Sequence, residues 1–130
     1  DWVLDDQPVS VRTRHRPIVS VPYTVEINDV VISAVQQHPS DELFKRGRDH
    51  FDRLYMDGAR TPRVMAISIH PYLTGVPHRI KYLEALYDHI LAHEGVLMWT
   101  GEQILDWYRS ETREPASAAH STSRHQGASR

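Results

Sequence analysis

The sequence predicts an α/β fold made of successive strand–helix units with parallel strands. Three observations lead there. Residues 64–69, V-M-A-I-S-I, form a nearly unbroken apolar run, too short for a typical helix and suited to a strand buried on both faces. Two further short apolar runs, at 17–23 and 96–99, are each followed by a stretch of helical periodicity. The connections between these pieces are short, and right-handed crossovers would then set the three strands parallel.

Taken in order, the chain opens on D-W-V-L-D-D-Q-P, where Asp6-Gln7-Pro8 reads as a turn in an acidic loop. Arg12, Arg14 and Arg16 alternate through 9–16, as expected of a solvated edge or hairpin. The β-branched stretch 17–23, bounded by Pro17 and Pro22, predicts the first strand. It runs into Thr24, Glu26, Asn28 and Asp29, a gathering of polar groups just past a strand exit. Residues 30–38 carry no clear period.

Ser40 followed by Asp41 and Glu42 predicts a helix start, acidic in its first turn as the macrodipole favours. Phe44, Phe51, Leu54 and Tyr55 share one face of a helix over 41–57; Gly47 on that face permits a close approach, and Gly58 marks the stop. The central run at 64–69 ends at His70-Pro71, because proline cannot donate to a ladder. Pro77 suits a first helical position, Ile80, Leu83, Tyr87, Ile90 and Leu91 give the apolar face, and Gly95 closes the helix. Val96 to Trp99 read as a third buried strand, and Thr100 with Gln103 forms a capping box before a short helix whose Ile104, Trp107 and Tyr108 face inward. From 110 to 130 there is no Val, Leu, Ile, Met, Phe, Tyr or Trp, so this tail cannot offset the entropy of ordering and is expected to be disordered.

Composition narrows the function. At 130 residues the chain holds at most one domain. A net charge of -2, with no basic stripe, argues against a nucleic-acid partner. With no cysteine, disulfides and thiolate metal sites are excluded. No apolar run reaches the roughly 20 residues that span a membrane. The chain starts at Asp1 without a methionine and reads as a piece of something longer. His89 and His93 have i, i+4 metal-ligand spacing, but Ile90 stands where zinc proteases carry glutamate, and the pair reads as two exposed histidines.

His70 is the candidate for chemistry, an imidazole delivered to the carboxyl end of a central parallel strand, where α/β folds build active sites. The exit at 24–29 repeats its pattern, and the two exits can face one cleft. A histidine that titrates near neutrality can give or take a proton. Glu26, Asn28, Asp29 and Tyr72 are the candidate substrate-binding groups, and Asp1 the carboxylate that would charge and orient His70 from the Asp1–Asp6 loop.

With D-W-V-L-D-D-Q-P at 1–8, V-P-Y-T-V-E-I-N-D at 21–29, S-I-H-P-Y-L-T-G-V-P-H-R at 68–79 and W-T-G-E-Q-I-L-D-W at 99–107, the chain resembles the C-terminal half of the polysaccharide deacetylase family. The proline–tyrosine pair after His70 is most similar to the allantoinase-like branch. The resemblance covers residues 1–109 and implies the C-terminal part of a distorted (β/α) barrel, with 110–130 as a tail. It implies hydrolysis of non-peptide C–N bonds in carbohydrate or ureide metabolism, with His70 as general acid or acyl contact and Asp1 in the late aspartate–tryptophan motif. The family's paired aspartates and histidine pair, which supply the base and the divalent metal site, are not in this chain. No cofactor is therefore expected in it, only in the complete protein, and the chain alone is expected to be inactive. The expected partners are a sugar or other small-molecule substrate, the N-terminal half of the barrel and a second copy of the chain, with no nucleic acid or membrane, in the cytoplasm. The competing readings are a non-catalytic carbohydrate- or ligand-binding half-barrel and a truncated structural fragment.

Overall fold

The computed structural model describes residues 5–112. Its first unit is an antiparallel hairpin, β1 (Val9–Val11) on β2 (Ile18–Ser20), with Ser10 opposite Val19. The arginines at 12, 14 and 16 lie exposed in the connection. Thr13 tightens that connection: its hydroxyl donates to the Arg16 carbonyl at 2.6 Å and accepts from the Arg16 amide at 3.3 Å. The hairpin expected at 9–16 is present. The parallel first strand expected at 17–23 is not, because β2 finds its ladder partner in β1.

Residues 64–69 form the spine of the core. Met65 and Ile67 pack into both core clusters and Ile69 into one of them, the period-2 signature of an extended segment with one apolar face. One cluster centres on Ile27, Ile32 and Leu43, the other on Phe51, Leu86 and Ile90. All six residues of the segment, Val64 to Ile69, are half-buried. The segment is thus not buried on both faces, which corrects the sequence expectation. Its pairing is sparse. The Val64 amide donates to the Asp6 carbonyl at 2.8 Å, and Asn28 bridges Ser68 in parallel through Ser68 N–H to Ile27 and Asp29 N–H to Ser68. The parallel contact between 24–29 and 64–69 therefore exists, but only where both segments end.

A π-helical turn, Val30–Val35, follows that bridge in the stretch where the sequence shows no period. Helix α1 (Glu42–Gly58) begins one residue later than expected, with Asp41 rather than Ser40 at its N-cap. It buries Leu43, Gly47 and Phe51, while Tyr55 is 42% exposed and donates its hydroxyl to the Glu94 carbonyl. Gly58 is its last residue and the chain leaves through Ala59 in ordinary right-handed geometry, so no glycine stop operates there. After the short α2 (Pro71–Thr74), α3 (Pro77–Leu91) starts on Pro77 as predicted. It buries Leu86 and Ile90, whereas Leu91 points outward at 58% exposure. Gly95 adopts φ +76, a left-handed turn that suits glycine, and reverses the chain behind α3.

Val96 reaches the second core cluster, but Leu97, Met98 and Trp99 are exposed at 63%, 59% and 40%. The third buried strand is therefore not formed, since no neighbouring segment among the described residues pairs with it. The capping box is present in full: Thr100 Oγ1 accepts from the Gln103 amide and Gln103 Oε1 from the Thr100 amide. It opens α4 (Gly101–Glu111), whose Ile104 and Trp107 line an apolar cavity of about 620 Å³ with Tyr55 and Leu54 but are only half-buried. The helix extends two residues into the stretch read as a tail; the rest of that stretch, 113–130, lies outside the described residues. The architecture is mixed helix and strand, and the described residues do not close a barrel. None of their helices is long and apolar enough to cross a membrane.

Contact between α1 and α3 depends on Gly47. A methyl group built there would lie 2.5 Å from Cδ2 of Leu86, a side chain with no exposed surface and little room to retreat. Gly47→Ala gains about 1 kcal/mol of helix propensity, yet overpacking costs about 1–3 kcal/mol. The expected result is a lower urea midpoint. Leu86→Ala should be destabilising alone but absorb the added methyl, so that the double variant loses less than the sum of the two.

Candidate active site at the His70 strand exit

The spine segment ends at His70 in extended geometry, φ -113 and ψ 119, and Pro71 then forces the chain into α2. His70 is the N-cap residue of α2, but its own side chain makes no capping bond. Asp29 does the capping from across the cleft. Its Oδ2 accepts from the His70 amide at 2.7 Å and from the Thr74 hydroxyl at 2.7 Å, gripping both ends of the four-residue helix. Its Oδ1 lies 2.7 Å from Nδ1 of His70. Asp29 and Thr74 are each 2% exposed.

Electrostatics determine which nitrogen carries the proton. Burial alone would raise the Asp29 pKa; the bonds from the His70 amide, the His70 ring and the Thr74 hydroxyl, with the ring's charge, outweigh it and hold the carboxyl below its ordinary value. An ionised carboxylate only accepts, so Nδ1 of His70 must donate. Nε2 is then the free nitrogen, on a side chain 41% exposed. Neutral, it can accept a proton; charged, it can deliver one, with Asp29 stabilising the imidazolium.

The remaining candidates divide. Tyr72 stays with His70, its ring edge-on at a centroid distance of 5.8 Å and 71% exposed, free to meet a ligand. Asp29, expected to bind substrate, instead orients the histidine, because both its oxygens are taken inside the protein. Asn28 is also engaged: Oδ1 accepts from the Val30 and Val31 amides and Nδ2 donates to the Tyr23 hydroxyl at 2.9 Å. Glu26 lines a different cavity of about 270 Å³ with Asp5, Asp6, Tyr23 and His50. Asp1 lies outside the described residues. Asp6, in the loop expected to reach His70, sits instead at the start of the spine, ion-paired to Arg63 at 2.7 Å, about 20 Å of extended chain away. Thr74 is the residue that the sequence reading missed, its signal being only a hydroxyl four positions after the histidine.

The described residues around this cleft do not by themselves make a divalent-metal site: Asp29 already accepts three internal hydrogen bonds, which leaves Nε2 of His70 and the Tyr72 hydroxyl as the unengaged donors.

No protein-family model matches the chain. A protein of Schizosaccharomyces pombe named "Putative polysaccharide deacetylase" is 40% identical over 89 residues, 67% of this chain and 28% of that protein. Among solved structures, a "probable Polysaccharide deacetylase" of Pseudomonas aeruginosa PAO1 superposes with a TM-score of 0.75 at 31% identity. Puue Allantoinase does so with a TM-score of 0.77 at 28% identity. Each match covers 83% of this chain and 37% of the solved one, so the chain spans well under half the length of these relatives. Sequence and fold agree: the chain is homologous to a protein named as a polysaccharide deacetylase, and it shares the fold of the matching portions of a solved deacetylase and a solved allantoinase.

Proposed function

We propose that this chain carries the acid–base histidine of a hydrolase of non-peptide C–N bonds, acting on an N-acetyl sugar or an allantoin-like ureide. The observation behind this reading is the His70–Asp29 dyad: a buried, ionised carboxylate on Nδ1 and a free, accessible Nε2. In the proposed step, water adds to the acyl carbon, the C–N bond breaks, and Nε2–H of the His70 imidazolium supplies the proton that the leaving nitrogen requires. Asp29 keeps the ring aimed through Nδ1, and Tyr72 forms one wall for the substrate. The proton lost by the attacking water goes to a base outside this cleft, since the dyad has no second free acceptor. The chain alone is accordingly proposed to be inactive, and the complete protein to require the remainder of the fold.

The test uses the complete protein with chitin oligomers and allantoin as substrates. His70→Asn should lower kcat by about 10²–10⁴-fold, with the fold retained because a strand-end polar exchange removes no core volume. Unchanged turnover on both substrates would reject the acid–base role.

Asp29→Asn should act on both activity and stability. Replacing a carboxylate that accepts three hydrogen bonds should cost about 1.5–3 kcal/mol in unfolding experiments near neutral pH. Because the folded-state pKa of Asp29 is lowered, its stabilisation is fully present above the ordinary carboxyl range and is lost as the pH falls through the lowered value. Urea melts at successive pH values should therefore show the gap between wild type and Asp29→Asn narrowing below about pH 4. A gap independent of pH would mean that the charge on Asp29 is not what holds α2.

A further inference from the structure

A second cluster of chemical groups lies at the far end of α3. His70 precedes the start of that helix, whereas His89 is in its last turn and His93 just beyond it, and 15 residues of helix span about 22 Å. Across the interface, α1 presents Asp52. One donor atom from each of Asp52, His89 and His93 lies within 4.8 Å of the other two. Asp52 Oδ1 and His89 Nε2 are already 2.7 Å apart.

Three details make this more than a surface ion pair. The two histidines sit i, i+4 with ring centroids 5.0 Å apart, so one helical face offers both. Nδ1 of His93 lies 2.8 Å from the His89 carbonyl and must donate to it, which leaves Nε2 with its lone pair; metal-binding histidines are commonly oriented by a backbone carbonyl in this way. Phe51 meets both rings edge-on, at 5.7 and 5.0 Å, and Tyr55 meets His93 at 4.8 Å. The imidazoles are thus held by an aromatic floor rather than free in solvent.

We infer that Asp52, His89 and His93 form a binding site for a late first-row divalent cation, zinc above all, that clasps α1 to α3. Two imidazoles and a carboxylate are a zinc-type donor set. Tetrahedral bonds of about 2.0–2.1 Å place donor atoms about 3.3 Å apart. His89 and Asp52 therefore open slightly and the wider pairs close, movements that side chains 28% and 47% exposed can make. As the ion takes Nε2 of His89, the proton there shifts to Nδ1, and Asp52 exchanges a hydrogen bond for a metal bond. The fourth position faces solvent and takes water.

The experiment is zinc chloride titrated calorimetrically into the EDTA-stripped chain, with Tm followed in parallel and Co²⁺ as a spectroscopic probe. Wild type should bind one equivalent, gain several degrees in Tm, and show the intense visible bands of tetrahedral cobalt. His89→Gln and His93→Gln should each weaken binding by about tenfold or more, and His70→Asn should leave it intact. Should a histidine variant fail to fold by circular dichroism, Asp52→Asn gives the deciding measurement, because its carboxylate is partly exposed and outside the aromatic packing. No saturable zinc binding by the folded chain would overturn the inference and leave a plain histidine–aspartate hydrogen bond. So would zinc affinity unchanged in the His89→Gln/His93→Gln double variant or in Asp52→Asn.

Discussion

The carboxylate of Asp29 is the constraint on which the candidate site depends. It is buried and ionised, a costly combination unless its oxygens are satisfied. The donors that meet it are the His70 amide and ring and the Thr74 hydroxyl, so satisfying Asp29 fixes the strand exit, the short α2 and the histidine tautomer together. One charge thereby does structural and chemical work at once. It also explains why a helix of only four residues persists: α2 is too short to be stable by itself, and its two ends are held from outside.

Behind the cleft, the spine segment is held more by packing than by ladder hydrogen bonds. Met65 and Ile67 pack against both core clusters, so residues of α1 and α3, with Ile27 and Ile32, hold the spine and set the position of His70 at its end. The close approach at Gly47 and Leu86 brings those helices together. Farther along the same interface, the register that seats Leu86 on Gly47 also places His89 opposite Asp52, three residues beyond Leu86 and five beyond Gly47. The two polar clusters are thus tied to one another through the core, one at each end of α3.

An orienting carboxylate and a directed imidazole with its second nitrogen open to solvent are what the proposed acid role draws on. The relatives of known structure are nearly three times as long as the portion matched here. Among the described residues, the exposed Leu97, Met98 and Trp99 and the cavity beneath α4 mark a face that leaves apolar surface open.

Local chemistry was legible in the sequence. The proline start of α3 and the capping box of α4 rest on residues within four positions of one another, and the span of α1 on a single helical period, so that spacing alone carries the information. So does the delivery of His70 to a strand exit, and the resemblance of the surrounding blocks pointed to the family. What the sequence left open are pairings between distant residues. Whether Asp29 faces a ligand or faces His70, 41 positions away, depends on two chain exits meeting at the Asn28–Ser68 bridge. Whether His89 is a lone surface histidine or the partner of Asp52, 37 positions away, depends on how α1 docks on α3. The antiparallel pairing of β2 and the exposure of 97–99 are of the same kind. Periodicity states which face of an element is apolar; only the packed structure decides what that face, and every polar group beside it, will meet.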